Sequence, residues 1–321
     1  MHDTIVADRG IELNDFARAV EEGLSRQQKE LPCRFLYDAR GSDLFEDITA
    51  LDEYYPTRTE AAILQQCSGD IAARAPAGSV LVEFGSGSST KTEILLAALD
   101  KLGLYVAIDV SQSALDDARA RIAKRFPALR VETLVADFAE PMDLPGIQSR
   151  GVGHILGFFP GSTIGNLTRG EAVKLLRHFG QTLGQGARFV AGVDLKKDLS
   201  RLLPAYDDAL GVTAAFNKNI LTRINRELGG DFNVDAFSHE ARWNSDKGRV
   251  EMHLVSDTRQ QVRMGGRNYS FVAGESIHTE NSHKYAVAEF QELAHKAGWE
   301  ALGVWMDEQK LFSVHELVYR G

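Results

Sequence analysis

Short apolar runs alternate with amphipathic stretches through the middle of the chain. The runs are bounded by glycine or polar residues and are too short for buried helices, so they predict buried strands. These strands are predicted at 79–84, 104–109, 129–137, 154–159 and 187–194. The stretches between them repeat apolar residues at helical spacing, which predicts helices at 90–103, 113–126 and 169–184. This alternation predicts an α/β fold with a parallel sheet and helices on both faces.

The pattern resumes at the C-terminus and is absent from two other regions. A helix is predicted at 286–298, followed by strands at 299–307 and 311–319. Residues 197–285 instead contain a long helical tract at 199–228 and β-like runs at 236–244, 249–256 and 260–264. The first 58 residues also lack the βα pattern. We therefore predict one domain from 59–196 plus 286–321, and a second from 1–58 plus 197–285.

Composition and charge narrow the classes of partner. The chain has 44% hydrophobic and 25% charged residues, as in an ordinary globular protein. Its net charge of -9 and pI near 5.5 argue against nucleic acid or an anionic membrane as its main binding partner. Two cysteines, Cys33 and Cys67, do not suggest a disulfide framework, and no apolar window approaches the about 18 residues of a membrane span. Neither HExxH nor CxxC occurs, so no metal is expected. We expect a cytoplasmic monomer.

The loops that follow the predicted strands are where an open α/β sheet binds ligands. After the first strand, "GSGSST" offers Gly85 and Gly87, which let the backbone approach a ligand ahead of a helix N-terminus. Thr90 replaces the third glycine of a dinucleotide fingerprint. The pattern therefore favours a nucleoside ligand without a pyrophosphate, such as S-adenosylmethionine, over NAD. A plain tight turn is the alternative.

Acidic residues end the next two predicted strands. Asp109, 24 residues after Gly85 (109 − 85), can accept hydrogen bonds from ribose hydroxyls. Asp137 can accept from an adenine amine while the neighbouring Phe138 covers the adenine ring. A helix cap is the alternative for each aspartate alone. Three such ends on successive strands make a chance arrangement much less probable.

The fourth predicted strand ends in "GSTIGN", residues 161–166. In a sheet that holds S-adenosylmethionine, this end faces the methyl group. Gly161 and Thr163 are small enough to leave room for a reacting amine. The amide of Asn166 both donates and accepts hydrogen bonds, which suits an amino-acid substrate. The alternative is that Asn166 is only a turn residue.

Taken together, these stretches resemble the S-adenosylmethionine-dependent L-histidine Nα-methyltransferases of ergothioneine biosynthesis. The matching stretches are "FLYDARGSDLFEDIT", "EYYPTRTEAAIL", "VEFGSGSSTKT", "GSTIGNLT", "AYDDALGVTAAFNKN", "RWNSDKGRVEM" and "ESIHTENSHKY". They extend from about residue 33 to 285, and the C-terminal strands fit too, so the resemblance covers nearly the whole chain. "YYPTRTE" and "GSTIGNL" are far more specific than a pair of glycines. Pro160 is an addition relative to many relatives and changes no assigned role.

The resemblance implies a Rossmann-like class I methyltransferase domain and a substrate-binding domain formed by the N-terminal segment and an insertion. It implies that S-adenosylmethionine is bound by Gly85, Lys91, Asp109, Asp137 and Phe138. It implies that the histidine carboxylate is held by Asn166 and Tyr206, the imidazole by Tyr54, Glu280 and Ser282, and the side chain by Met252. The residues implied around the amine are Tyr37, Phe45, Gly161 and Thr163.

Glu280 is the strongest marker of specificity in this set. An imidazole has two ring nitrogens, so a specific pocket offers it both an acceptor and a donor. Glu280 accepts from one N–H, while the Tyr54 or Ser282 hydroxyl serves the other nitrogen. Without the resemblance, Glu280 would be interpreted as a surface carboxylate, Tyr206 as a core or surface tyrosine, and Lys91 as an ordinary first-turn helix residue.

The expected reaction is attack of the α-amine on the methyl group, repeated three times to give Nα-trimethylhistidine, or hercynine. L-Histidine and its mono- and dimethyl forms are the expected substrates, with Asn166 and Tyr37 as catalytic residues. Tyr37 or a water would relay the amine proton, and Phe45 offers a face to the methylated ammonium. The alternatives are an N-methyltransferase of another amino acid such as tryptophan, a non-catalytic binding protein, and an NAD oxidoreductase.

Overall fold

The structure is a computed structural model that describes residues 2–85, 90–140, 142–144, 147 and 154–321, with side chains from residue 13 onward. The chain divides into two compact units. The first unit comprises Met1–Tyr55 and Lys197–Ser282, and the second comprises Pro56–Lys196 and His283–Gly321. The sequence placed the three boundaries after residues 58, 196 and 285, whereas the units change after 55, 196 and 282.

The helices and strands of the described residues are as follows. The helices are α1 (His2–Leu24), α2 (Ala39–Thr49), α3 (Tyr55–Ala73), α4 (Thr90–Ala98), α5 (Gln112–Arg125), α6 (Arg169–Leu183), α7 (Leu199–Leu202), α8 (Val212–Leu228) and α9 (Val287–Lys296). The strands are β1 (Lys29–Glu30), β2 (Val80–Phe84), β3 (Leu104–Asp109), β4 (Val131–Val135), β5 (Ile155–Phe159), β6 (Arg188–Asp194), β7 (Phe237–Asn244), β8 (Arg249–Ser256), β9 (Gln260–Met264), β10 (Arg267–Phe271), β11 (Ser276–His283), β12 (Trp299–Met306) and β13 (Phe312–Tyr319). None of these helices is both long enough and apolar enough to cross a membrane.

A mostly parallel sheet forms the centre of the second unit. Among the described residues its strands lie in the order β12-β13-β6-β5-β2-β3-β4, and only β12 and β13 are antiparallel to their neighbours. Strands β2, β5 and β6 are buried along their whole length, as their apolar sequences predict. This confirms the predicted α/β fold. The chain runs outward from β2 to β4 and then returns beside β2 with β5, which creates a switch point where such sheets bind ligands.

Helix α6 shows how the sequence covers this sheet. It begins with a capping box in which Thr168 and Glu171 exchange side-chain-to-backbone hydrogen bonds. Apolar residues at helical spacing then turn one face of α6 inward, and Leu175, Leu176, Phe179 and Leu183 are all buried. The ring of Phe179 stacks on Phe84 of β2, with centroids 3.9 Å apart. Burial of one such side chain contributes roughly 1.5–3 kcal/mol.

A smaller sheet lies in the first unit. Its order is β1-β11-β8-β7, with β1 parallel to β11 and β7 antiparallel to β8, while β9 and β10 form a separate hairpin. Helix α8 packs on β7 and β8 and against α2. The three predicted β-like runs correspond to β7, β8 and β9. Strands β10 and β11 were not predicted, and β11 escaped notice because its sequence, "SIHTENSH", is largely polar.

The prediction of one long helical tract at 199–228 is wrong. Helix α7 ends at Leu202, a 3₁₀ turn follows at Leu203–Ala205, and α8 begins only at Val212. Pro204 has no N–H to continue an α-helix, and Gly211 adopts a φ of 74°, in the left-handed region. The Asp208 carboxylate then accepts from the first two backbone N–H groups of α8. As a result, Tyr206 lies in a connection rather than within a helix.

Candidate functional site

Gly85 follows β2 directly, at the switch point of the sheet in the second unit. Its φ of 77° lies in the left-handed region that favours glycine. A Cβ built on Gly85 would lie 3.5 Å from the ring of Phe138, so this ring lies beside the Gly85 backbone. The structure therefore brings together two of the predicted cofactor residues, from the loops after β2 and β4. The other predicted glycine, Gly87, lies outside the described residues.

Asp109 and Asp137 lie at the ends of neighbouring strands. Asp109 ends β3 opposite Val135, the last residue of β4, and Asp137 follows two residues later. Oδ1 of Asp109 accepts from the backbone N–H of Ser111 at 2.9 Å, and Oδ1 of Asp137 accepts from that of Ala139 at 2.9 Å. Ser111, not Asp109, is the N-cap of α5. Both carboxylates are thus held at the carboxyl edge of the sheet by their own loops.

The loop after β5 is fixed by hydrogen bonds to other parts of the second unit. Ser162 adopts a φ of 56°, unusual for a residue with a side chain, and its Oγ accepts from the backbone N–H of Asp194 at 2.9 Å. The ring of His283 bonds through Nδ1 to the Gly165 carbonyl at 3.0 Å. A Cβ at Gly165 would lie 2.9 Å from the His283 carbonyl oxygen, so a glycine is required there. These hydrogen bonds and this close contact fix the position of Asn166, which is half-buried at the end of the turn.

Lys91 lies in the first turn of α4 and reaches the same loop. A Cβ built on Gly161, whose φ is 82°, would lie 3.5 Å from both Lys91 Nζ and Thr163 Oγ1. The Lys91 ammonium donates to Glu60 Oε2 at 2.8 Å, and both side chains are buried. Lys91, Gly161 and Thr163 therefore lie together. Glu60 was not predicted, although it belongs to the specific "YYPTRTE" stretch.

The predicted aromatic residues of the first unit lie in one cluster, which also includes an unpredicted member. This aromatic cluster consists of Tyr37, Phe45, Tyr54, Tyr206 and Phe216, with ring centroids of contacting pairs 5.3–6.3 Å apart. Most pairs meet edge to face, the arrangement that aromatic quadrupoles prefer. Phe216 comes from the buried face of α8, and its only sequence signal is the apolar periodicity of that helix.

Strand β11 carries two of the three predicted imidazole-binding residues, while the third, Tyr54, belongs to the aromatic cluster. Glu280 and Ser282 lie on one face because alternate residues of a strand point the same way. The hydroxyls of Ser282 and Tyr206 are 2.8 Å apart, at hydrogen-bond distance. Met252 is buried in β8, which lies beside β11 in the sheet. One side of this small sheet therefore combines a carboxylate with hydroxyl groups next to the aromatic cluster.

Tyr37 is a protonated phenol at neutral pH. Burial of the hydroxyl, and then the neighbouring Glu280 carboxylate, raise the pKa of Tyr37 well above its usual range, although 39% of the residue remains exposed. The same two causes raise the pKa of Cys33 to about 12. A neutral phenol donates a hydrogen bond but is a poor proton acceptor near neutral pH. Tyr37 would therefore relay the amine proton as a neutral hydroxyl and not as a phenolate base.

His239, which sequence reasoning did not predict, bonds to the Tyr206 backbone, and Asn217 in turn bonds to His239. His239 bonds through Nε2 to the Tyr206 carbonyl at 2.8 Å, while its Nδ1 lies 2.9 Å from Asn217 Nδ2. Burial lowers the pKa of His239, so the ring is neutral, and protonation at Nε2 satisfies both bonds. A lone histidine and a lone asparagine give no signal of this arrangement in the sequence.

One group of side chains in the described residues has the composition of a metal site. Its members are Glu251 and His253 of β8 and His278 of β11, and their ligand atoms lie within 4.8 Å of one another. Arg249 Nε already donates to Glu251 at 2.7 Å, and His278 Nε2 lies 3.1 Å from the Glu280 carbonyl. The guanidinium opposes a further cation at this position. The group is therefore a hydrogen-bonded network that does not need an ion to satisfy it.

The buried carboxyl group of Glu83 should make the free energy of unfolding depend on pH. It is fully buried in β2, where Thr92 Oγ1 donates to it at 2.7 Å and the Tyr105 hydroxyl donates to its other oxygen. Burial raises the pKa of Glu83 to about 7, from 4.5 when exposed. Between these values the folded chain binds more protons than the unfolded chain, so stability falls as pH rises. Glu83→Gln does not titrate and should gain about 3 kcal/mol relative to wild type between pH 4 and pH 8.

Urea unfolding of both proteins across this range measures the difference. Subtracting one curve from the other removes the titration of all groups that the two proteins share. A constant difference in unfolding free energy between pH 4 and pH 8 would contradict the raised pKa of Glu83.

Comparison with known proteins gives consistent matches over nearly the whole chain. A sequence profile described as histidine-specific, S-adenosylmethionine-dependent methyltransferase matches residues 16–319. The histidine N-alpha-methyltransferase of Mycolicibacterium smegmatis is 45% identical over 300 residues, which cover 90% of each chain. Ergothioneine biosynthesis protein 1 of Neurospora crassa is 31% identical, over 86% of this chain and 32% of that protein. The 4-dimethylallyltryptophan N-methyltransferase of Aspergillus fumigatus is 28% identical, over 89% and 88%.

Proposed function

Because the chain belongs to the family of histidine-specific, S-adenosylmethionine-dependent methyltransferases, we propose that it transfers three methyl groups to the α-amine of L-histidine. The product would be hercynine, a precursor in ergothioneine biosynthesis. The names of relatives 45% and 31% identical support this assignment. The main structural support for this proposal comes from β11. There Glu280 lies on the same face as Ser282, whose hydroxyl is hydrogen-bonded to that of Tyr206. These groups offer an imidazole both an acceptor and a donor.

The residues that follow the strands of the second unit can each bind a different chemical group of S-adenosylmethionine. When bound, this cofactor supplies a methyl group on a cationic sulfur, which leaves as a neutral thioether once the amine has taken the methyl. The left-handed backbone of Gly85 allows close approach, and Phe138 beside it offers a face to the adenine. The carboxylates of Asp109 and Asp137 can accept from ribose hydroxyls and from the adenine amine. The Lys91 ammonium suits the cofactor carboxylate.

Histidine would be recognised through its imidazole and its α-carboxylate. We assign one imidazole N–H to Glu280 and the other ring nitrogen to the hydroxyl of Ser282 or Tyr54. The 2.8 Å separation of the Tyr206 and Ser282 hydroxyls supports this assignment, because one small ligand can reach both. Tyr206 and Asn166 would donate to the α-carboxylate, and buried Met252 would pack against the side chain.

The α-amine must lose a proton before each transfer, because an α-amine is largely protonated near pH 7. Tyr37 or a water would relay this proton, with the neutral Tyr37 hydroxyl available as a hydrogen-bond donor. The rings of Phe45 and Tyr37 would offer faces to the methylated ammonium. The small residues Gly161 and Thr163 would leave space as the amine gains bulk.

The alternatives are less well supported. The relative named for a tryptophan derivative is 28% identical, against 45% for the histidine N-alpha-methyltransferase, so a tryptophan-like substrate is not favoured. Membership of a methyltransferase family likewise disfavours a non-catalytic binding protein and an NAD oxidoreductase.

A time course by mass spectrometry tests the proposed reaction. Purified full-length protein would be incubated with S-adenosylmethionine and L-histidine, and the products fragmented to locate the methyl groups. We expect mono- and dimethyl forms to appear first and trimethylhistidine to be the end product, with every methyl group on the α-nitrogen. Methylation of the imidazole, or arrest after one methyl group, would contradict the proposal.

The proposed reaction needs no metal, which gives a separate prediction. Prolonged dialysis against EDTA should leave the methylation rate within about twofold of the undialysed enzyme, because no Lewis acid is required at the amine or the sulfur. Steady-state rates before and after dialysis, with magnesium or zinc added back, provide the check. A large loss that an added ion restores would be incompatible with a metal-free reaction.

We also propose that the enzyme is monomeric and cytoplasmic, and that it binds neither nucleic acid nor a membrane. The net charge of -9 disfavours a nucleic-acid or anionic-membrane partner, and the free thiols of Cys33 and Cys67 suit a reducing compartment. Size-exclusion chromatography with light scattering tests the monomer, and cell fractionation tests the compartment.

A further inference from the structure

Glu60 is a buried acid of α3 for which the reaction above has no role. It is 1% exposed. Its Oε2 accepts from Lys91 Nζ at 2.8 Å and from the backbone N–H of Gly161 at 2.8 Å, and its Oε1 lies 3.1 Å from the same N–H. One carboxylate therefore joins three elements of the second unit, namely α3, the first turn of α4 and the loop after β5.

The neighbouring strand makes room for this carboxylate. Gly192 lies in the middle of β6, where an apolar residue with β propensity would be expected. A Cβ built there would lie 1.9 Å from Glu60 Oε1, far inside any permitted contact, and the nearest atom outside Glu60 is Phe312 Cε1 at 3.1 Å. The space above Gly192 is thus occupied by the acid itself.

Packing alone does not explain an acid at this position. Removing a carboxylate from water is unfavourable, and an apolar side chain of similar size would fill the space without that cost. What the carboxylate adds is a fixed, charge-assisted bond to a flexible lysine and a fixed bond to a left-handed backbone. A lysine held in place before its ligand arrives loses less conformational freedom on binding, which strengthens binding.

We propose that Glu60 is a positioning residue of the methyl-donor site, acting through Lys91 and through Gly161. It holds the Lys91 ammonium beside the loop after β5, and it fixes the start of that loop, which leads to Asn166. The proposal rests on the proposed role of Lys91 in holding S-adenosylmethionine. It assigns a role to the last residue of "YYPTRTE", which the substrate contacts leave unexplained.

A double-mutant cycle tests whether Glu60 acts through Lys91. The test uses three variants of the whole chain: Glu60→Gln, Lys91→Met and the double variant that carries both substitutions. Each would be titrated with S-adenosylhomocysteine by calorimetry, because this ligand binds without turnover. Glu60→Gln keeps the shape of the side chain and an oxygen that can accept from the Gly161 N–H, but it removes the charge that holds Lys91. Each single variant should weaken binding about tenfold, and the double variant should also be about tenfold weaker, because both changes remove the same interaction.

Other outcomes of the cycle overturn the proposal. If the double variant binds about 100-fold more weakly, the two losses are independent and Glu60 does not act through Lys91. Wild-type affinity in Glu60→Gln, with only a lowered melting temperature, would assign Glu60 a purely structural role. Wild-type affinity in Lys91→Met would remove the group through which Glu60 is proposed to act. Failure of the wild-type protein to bind S-adenosylhomocysteine would instead contradict the proposed function itself.

A second variant displaces the same carboxylate without altering any charge. Gly192→Ala should weaken S-adenosylhomocysteine binding by about the same tenfold, because its Cβ would force Glu60 away from Lys91. Gly170→Ala is the matched control, since no atom lies within 4 Å of a Cβ built there. Equal, wild-type affinities in the two alanine variants would overturn the proposal even if Glu60→Gln failed to fold.

Discussion

Glu280→Ala is expected to lower kcat/KM for histidine by about 100-fold. The substitution leaves an imidazole N–H without its acceptor, and a hydrogen bond to a charged group contributes roughly 1.5–3 kcal/mol. Because about 1.4 kcal/mol corresponds to a factor of ten, this range is about tenfold to 150-fold. Glu280→Gln should lose less, since its amide oxygen still accepts. Initial rates at varied histidine and saturating S-adenosylmethionine measure the effect.

A matched variant separates this effect from a general loss of charge. Glu292→Ala removes a carboxylate from α9 whose side chain is 68% exposed, and it should leave kcat/KM unchanged. Binding of S-adenosylhomocysteine to Glu280→Ala should also be unchanged, because the assigned cofactor residues are intact. If Glu280→Ala used histidine as efficiently as the wild type, Glu280 would not be the imidazole acceptor.

Asn166→Asp is expected to have the largest effect, a loss of about 1,000-fold in kcat/KM for histidine. The change removes an amide donor and puts a second negative charge beside the substrate carboxylate. Two like charges about 4 Å apart at an effective dielectric of about 20 repel by roughly 4 kcal/mol. Asn166→Ala lacks the repulsion and should lose only about tenfold to 100-fold. Steady-state kinetics of both variants measure the contribution of charge.

The control for this pair is Asn268→Asp, the same substitution at an exposed position of β10. It should leave kcat/KM within about twofold of the wild type, because an exposed charge is screened by solvent. Equal losses in Asn166→Asp and Asn166→Ala would show that no carboxylate lies near Asn166 in the complex. The role assigned to this residue would then have to be abandoned.

The second unit could be predicted from sequence because its pattern is local. Each of β2, β3 and β5 is a short apolar run, and parallel pairing places their carboxyl ends along one edge of the sheet. The residues after each run could therefore be assigned to one region before the structure was known. Glu60 could not be found in this way. It comes from a helix distant in sequence, and nothing in "YYPTRTE" indicates that its last residue bonds to Lys91.

The first unit was harder to predict because the residues assigned to the substrate lie in segments whose local sequence patterns are misleading. Strand β11 is polar along much of its length, in part because it carries Glu280 and Ser282. Its sequence therefore does not predict a strand. The tract at 199–228 has helical composition throughout, yet Pro204 and Gly211 break it and leave Tyr206 in a connection. Phe216 and His239 contribute through contacts to residues far away in sequence, which no single-sequence pattern records.

We expect this chain to methylate the α-amine of histidine in preference to that of every other amino acid. The most direct test supplies the purified protein with S-adenosylmethionine and an equimolar mixture of the twenty amino acids, without added metal, and follows all products by mass spectrometry. Histidine alone should gain methyl groups, up to three on the α-nitrogen. Preferential methylation of any other amino acid would contradict the claim and would show that the Glu280 pocket binds a different side chain.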